Sequence, residues 1–350
     1  MIAREFSAGL PAWFSGDGPD ADVVISTRVR LARSFSGRRF PHLASLFERK
    51  LAFEDVAAVF QQSPHLANFE CVNCASLSRV ERQFLVEQRL ISPELMELEG
   101  DRGVAVDAGR KLSVMINEED HLRLQCIDGG CRPSELLTEL DAVDDAMSSL
   151  LDFAFDQRRG FLTCRPANSG TGMRVSFLVH LPGLILTKNI DQVLLAASQM
   201  GLGTRGFFGE HAGVAGALFQ LSNTAAVGVS ESELIENARG VVERTVECER
   251  AARQRIVAEA RPELLDKINR AFGILTHATM LTVDEFLNLS SAIRMGIDCN
   301  LFNPTTIANL NRLTLLIMPG HLQTMRKQTM TDDELKTARA LAVKEFFANR

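Results

Sequence analysis

Two arginines, Arg28 and Arg30, stand two apart in the alternating segment DVVISTRVRLAR at residues 22–33. On a strand, that spacing sends both side chains out of one face, and paired guanidinium groups suit phosphate oxygens. A solvated strand face has the same pattern, and Arg33 joins the pair only if the strand bends. A second cluster is Asn117-Glu118-Glu119-Asp120-His121. Three consecutive carboxylates repel one another unless a cation sits among them, although a polar turn is the plainer reading. Arg123 and Gln125 follow on the polar side of the next alternating run, which puts acid and base side by side.

Two glycine-containing segments complete the set. Asn168-Ser169-Gly170-Thr171-Gly172-Met173-Arg174 could offer backbone N–H groups to phosphate. It lacks the lysine and spacing of a P-loop and enters a strand, so it fits neither a P-loop nor a dinucleotide fingerprint. Arg205-Gly206-Phe207-Phe208-Gly209-Glu210-His211 reads as a glycine-flanked loop carrying one cation and one carboxylate, or as a plain connection.

The elements that must position these groups follow from periodicity. Alternation predicts a strand over 22–33 and a hairpin built from Leu112, Val114, Ile116 and Leu122, Leu124, Cys126, with residues 117–120 at its tip. Val175, Phe177, Val179 and Leu181 fall on one strand face. Helical spacing covers 43–62, 78–90, about 134–155 and 190–200, with a further strand at ALFQLSN. Long helices then dominate: 231–260, 262–273, 282–296, 304–318 and 332–348. The expected organisation is a polar lead-in at 1–20, an α+β domain at 21–250 and a helical domain at 251–350.

Composition bounds the partners. The 350 residues are 46% hydrophobic and 23% charged, with a formal net charge of −6. That is ordinary for a folded protein and gives no general attraction to nucleic acid or anionic membrane; a small anion would need a focused group of arginines. The odd number of cysteines, seven, and the lack of a signal-peptide pattern favour reduced thiols and a cytoplasmic location. Cys71 and Cys74 form a CxxC, but no second pair at zinc spacing follows. No apolar run approaches the roughly eighteen residues of a membrane span.

Taken in order, STRVRLAR, NEEDHLRLQ, NSGTGMR and RGFFGEH followed by LFQLSN resemble the catalytic signatures of the ATP:guanido phosphotransferase family. Only about two dozen residues precede the first arginine motif, and LVEQRLISPEL and LTLLIMPGHLQ are similar to segments of the bacterial protein-arginine kinase (McsB-type) branch. The resemblance implies a phosphagen-kinase-like catalytic domain, with a largely antiparallel sheet flanked by helices, and an all-helical C-terminal domain serving dimerisation or regulation. It implies transfer of the ATP γ-phosphate to protein arginines, with Mg²⁺, and no metal ligand from the protein. By resemblance Arg28, Arg30, Arg123, Arg174 and Arg205 bind the nucleotide phosphates. Arg89 joins them from a position where relatives often carry histidine, with Ser26, Thr27, Val29, Val175, Ser176, Gly206, Phe207, Phe208 and Gly209 around them. Glu119 and Glu210 would grip the acceptor guanidinium, and Glu118 would support the tip or the metal shell.

The same resemblance implies protein substrates with exposed arginines, a zinc-containing activator, Clp-type unfoldases and a homodimer. A kinase of a small guanidino compound, or a weakened regulator that binds ATP or phosphoarginine, are the alternatives. Two departures stand out. The family's cysteine position, nine residues before Arg174, holds Arg165, with Cys164 one step earlier; either the loop is shifted so that Cys164 serves, or a cation stands near the acceptor. The branch's RDxxRA motif is reduced to Leu335-Lys336-Thr337-Ala338-Arg339-Ala340, which predicts Arg339 on a solvated helix face.

Overall fold

The computed structural model describes residues 11–206 and 215–348. Its strands are β1 (Val24–Arg33), β2 (Phe69–Asn73), β3 (Gly103–Asp107), β4 (Leu112–Ile116), β5 (Leu122–Gly129), the short pair β6 (Phe155–Asp156) and β7 (Gly160–Phe161), β8 (Met173–His180), β9 (Leu202–Gly206) and β10 (Leu218–Asn223). Among the described residues, eight of them form one antiparallel sheet in the order β2-β3-β4-β5-β1-β8-β10-β9. The helices are α1 (Leu46–Gln62), α2 (Arg79–Glu87), α3 (Pro93–Glu97), α4 (Pro133–Ser148), α5 (Pro182–Leu186), α6 (Ile190–Gln199), α7 (Glu231–Glu259), α8 (Arg261–His277), α9 (Val283–Asp298), α10 (Ile307–Leu316), α11 (Pro319–Arg326) and α12 (Asp332–Ala348). The architecture is α+β, with helices alone after residue 230 among the described residues.

Alternation splits the sheet into two unlike faces. Val29, Leu31, Leu124, Val175, Phe177, Val179 and Leu221 are fully buried in one core with residues of α1, α4 and α7. Each such side chain contributes roughly 1.5–3 kcal/mol, so a one-residue slip that turned the row to the other face is excluded. The opposite face is apolar only at its margins. Val104, Val106 and Met115 meet Phe84, Leu85 and Leu95 of α2 and α3. Ile127 and Leu178 meet the C-terminal helices through a core containing Ile293 and Leu310. The polar strip between these margins becomes the candidate site.

Serine-glutamate capping boxes start α1, α2 and α7, at Ser45/Glu48, Ser78/Glu81 and Ser230/Glu233. Residue 250, the expected division, lies inside α7. That helix contributes Leu234 to Ala252 to the sheet core, and Ile256 and Val257 to the helical core.

Four expectations change. The helix expected to about 155 ends at Ser148, because the chain beyond it pairs with the end of β1: Ser36 N donates to Asp152 O (2.9 Å) and Ala154 N to Ser34 O (2.7 Å). The 304–318 helix ends at Leu316, and Pro319 opens a separate α11. In the lead-in, Trp13 and Phe14 are buried between sheet and helical domain. Arg339 is 3% exposed and donates to Ile317 O (3.0 Å) and Leu281 O (2.6 Å), bridging helices rather than facing solvent.

Candidate active site

Sheet register gathers the arginines on the polar strip. Arg30 lies opposite Arg174 on one side and Gln125 on the other, Arg28 is opposite Ser176, and Arg205 is opposite Gln220. Arg123 sits on the same face, one pair further along β5. Like charges directly across strands oppose pairing, so this arrangement weakens the sheet locally. Burial first, then Arg89, Arg123, Arg205 and Arg174, pushes Arg28 well below the usual arginine range. Burial and then Arg28, Arg123, Arg174 and Arg205 do the same to Arg30. Arg89 is held at about 10, by burial and then by Arg205. Six guanidinium groups therefore converge.

Only part of their hydrogen-bonding capacity is met within the fold. Arg28 Nε reaches Ser176 Oγ at 3.5 Å and Arg174 Nη2 donates to Ser222 Oγ at 2.9 Å. Arg30 Nε and Nη2 are buried with no hydrogen-bond partner among the described residues. Unsatisfied buried cationic donors are costly, and a polyanion with several oxygens is the chemistry that satisfies them. Arg89, in a left-handed conformation (φ 62°), lies with its guanidinium carbon 5.5 Å from the centre of the Trp13 ring. Trp13 Nε1 donates to Gln88 O (3.3 Å), which links the lead-in to the cleft.

The hairpin tip carries the acids. Asn117 takes the left-handed turn position (φ 57°), which asparagine tolerates, and its N–H donates to His121 O at 2.9 Å. Arg102 secures the tip by donating to the carbonyls of Asn117 and Glu118. The three carboxylates then part company. Glu118 turns inward to Arg123 Nη1 (2.6 Å) and Ser92 Oγ (2.6 Å). Burial opposes its charge most strongly, yet Arg123, Ser92, the Glu119 N–H and Arg30 hold it below the ordinary range. Asp120 points away, accepting from Ser34 Oγ (2.8 Å) and Cys164 N (2.6 Å). Glu119 stays partly exposed at the rim and forms an ion pair with Arg165. Burial raises its pKa first, Arg165 opposes that rise, and Asp120 and Glu118 add to it.

Arg165 faces Glu119, and Cys164 Sγ lies 3.4 Å from His42 Nδ1. Burial, followed by Asp120 and Glu119, raises the Cys164 thiol pKa, so a thiolate is not favoured there.

Several expected contributors lie elsewhere. Val29 and Val175 are fully buried in the core on the opposite sheet face, and Thr27 Oγ1 is bound to Gly130 O (2.6 Å); their side chains cannot meet a ligand of the arginine face. Arg33 also faces away, held by Asp144 (Nη2–Oδ2 2.8 Å) under the Phe161 ring. Ser26 and Ser176 are buried on the arginine side. The glycine-rich loop spends its N–H groups internally, Gly170 N on Phe161 O (3.2 Å) and Thr171 N on Ala226 O (3.4 Å), so it is no phosphate cradle. The segment around Arg205 and Gly206 is a strand rather than a loop, and Phe207, Phe208, Gly209 and Glu210 lie outside the described residues. Arg102 acts at the site without any sequence signal, and Ser92 and Ser222, inside the segments LVEQRLISPEL and LFQLSN, were not singled out there; the partners of Ser92, Arg102 and Ser222 are 26, 15 to 16, and 48 positions away.

A fan of cations around the buried Arg30, beside a rim carboxylate, defines an anion-binding cleft. The profile of the ATP:guanido phosphotransferase C-terminal catalytic domain matches residues 52–252, and that of the protein-arginine kinase McsB C-terminal domain matches residues 261–350. This chain belongs to the ATP:guanido phosphotransferase family and is an ATP-dependent phosphotransferase. The protein-arginine kinase of Halalkalibacterium halodurans is 39% identical over 344 residues, covering 98% of this chain and 97% of that one. The protein-arginine kinase of Moorella thermoacetica is 39% identical over 339 residues, covering 96% and 97%. The duplicated taurocyamine kinase of Schistosoma mansoni shares the fold at TM-score 0.61 and 22% identity, over 76% of this chain and 38% of that one. Lombricine kinase does so at TM-score 0.58 and 23% identity, over 69% and 71%.

Proposed function

We propose that this chain is a protein-arginine kinase, moving the γ-phosphate of ATP onto arginine side chains of proteins. The observation that carries the reading is the convergence of six arginines on one cleft, Arg30 buried and the other five partly exposed, with Glu119 at the rim within reach of the Arg123 field. Near-full-length similarity to protein-arginine kinases supports the acceptor class.

Arg28, Arg30, Arg123, Arg174 and Arg205, with Arg89 at the edge, would bind the triphosphate and stabilise charge spreading over the transferred group. Mg²⁺, which the family resemblance implies, would add charge neutralisation at the phosphate oxygens. Glu119 would hold the acceptor guanidinium in line, and alignment of reactants is worth roughly 7–11 kcal/mol of barrier. As the N–P bond forms and the bond from phosphorus to the β-bridging oxygen breaks, the electron pair leaves with ADP. The guanidinium proton passes to the Glu119 carboxylate, whose raised pKa makes it the better base. Glu210 is assigned the second carboxylate role by family resemblance. The same resemblance supports a cytoplasmic homodimer working with a zinc-containing activator and Clp-type unfoldases, with catalytic and helical domains meeting near residue 250.

The test is incubation with ATP, Mg²⁺ and an unfolded arginine-rich protein such as casein. Acid-labile, base-stable phosphoarginine should appear by mass spectrometry and fall at least about a hundredfold in Glu119→Ala, the loss of a positioned base and anchor. Equal transfer by the variant would overturn the assignment of Glu119. Phosphate delivered only to free arginine would overturn the protein acceptor.

A further inference from the structure

We propose that Arg165 is a built-in competitor for the acceptor subsite: its guanidinium sits on the carboxylate that an incoming arginine must take. This deepens the function proposed above and rests on the acceptor role given there to Glu119.

The geometry has three parts. First, the ion pair joins Arg165 Nε to Glu119 Oε1. The occupant is the same chemical group as the proposed substrate, so plug and acceptor exclude one another by sterics and by charge. Second, the root of the plug is fixed. Cys164 N donates to Asp120 Oδ1 (2.6 Å), Thr163 Oγ1 to Arg165 O (2.7 Å) and Asn168 N to the same carbonyl (2.9 Å). Pro166 then opens a short 3₁₀ turn over Pro166–Asn168. Asp120 and Glu119 are neighbours on the hairpin tip, so the bond that anchors the loop also sets Arg165 beside its partner. Third, the tether is loose where it must move. The Arg165 side chain is 73% exposed and that of Glu119 27%, so the guanidinium can swing into water without disturbing the core.

An ion pair that open to water is weak. It lowers apparent acceptor affinity without blocking the site, and an acceptor bound by further contacts along its chain displaces it. Acceptors with little beyond a guanidinium are held back most. Nucleotide binding should be untouched, because Arg165 pairs with the rim carboxylate Glu119.

The experiment measures binding rather than turnover. A labelled peptide containing a single arginine is titrated into the full chain with ADP and Mg²⁺, for wild type, Arg165→Ala and Arg165→Lys, with ADP affinity measured in parallel. Arg165→Ala should tighten peptide binding about fivefold, the factor for releasing a weak ion pair. Arg165→Lys should fall between, because lysine keeps the charge but not the planar fork. ADP affinity should be the same in all three. Peptide affinity in Arg165→Ala that equals or falls below wild type overturns the proposal, as does an equal change in ADP affinity. A chain that binds peptide in this pattern but transfers no phosphate supports the plug and counts against the kinase reading alone.

Discussion

A buried arginine with idle donors costs the folded state free energy that a bound anion returns. Arg30 is the sharpest case, 6% exposed, with two nitrogens lacking partners among the described residues and four like charges acting on it. Its depressed pKa fixes the sign: burial and like charge disfavour the cation in the folded state relative to the unfolded one, so the penalty weighs on the native state. Replacing Arg30 with Met should therefore raise the unfolding temperature of the ligand-free protein, as replacing buried charge by apolar bulk often does. The same change should remove most of the stabilisation by ATP and Mg²⁺ seen in thermal unfolding. A ligand-free variant less stable than wild type would contradict this account of the cleft. Glu118 and Glu119 divide the acidic work by surroundings alone: three partners and Arg30 keep the first charged, while burial, with Asp120 and Glu118 beside it, raises the second. The adjacent letters in the sequence are identical, and nothing local distinguishes them.

At the scale of elements, strands carried the most readable information, because a period of two is local. Val175, Phe177, Val179 and Leu181 were predicted on one face and all are fully buried; the hairpin around residues 117–121 forms as its alternation implied. Helix ends were less readable where a distant partner sets them, as at Ser148 and between Leu316 and Pro319. The glycines of the 168–174 loop also change meaning here. Gly172 (φ +67°) passes so close to β1 that an added Cβ would lie 2.6 Å from Ala32 O and 2.7 Å from Arg33 Nη1. Gly172→Ala should thus destabilise the fold by more than about 1 kcal/mol, measured by urea unfolding. It should also raise the KM for ATP, because β8 places Arg174 two residues on. An unchanged KM would show that β8 holds its register independently of the loop.

Across the whole molecule, the catalytic sheet and helical domain are joined by a buried ionic knot. Glu249, fully buried on α7, accepts from Gly183 N (2.8 Å), Leu184 N (2.9 Å) and Arg253 Nε (2.6 Å). Arg253 continues to Asp298 on α9 (3.2 Å) and to His180 O at the end of β8 (3.1 Å). Removing one partner strands the other, so Glu249→Ala should cost about 3–5 kcal/mol in urea unfolding. A Glu249→Met, Arg253→Met double variant should lose less than the sum of the two single losses, and a loss equal to that sum would mean that the two side chains act independently. A second tie runs from α11 to the cleft: Gly320 N (2.7 Å) and His321 N (2.9 Å) donate to Glu87, two residues before Arg89. Residue types, their order and their local periods determined by themselves the two sheet faces, the succession of elements and the supply of cations and acids. The tertiary structure alone decided that Arg89 meets Trp13 and that Arg165 rather than Cys164 meets Glu119. Those outcomes depend on cross-strand register and on contacts between residues tens of positions apart, and no local spacing encodes which distant side chain shares a cavity.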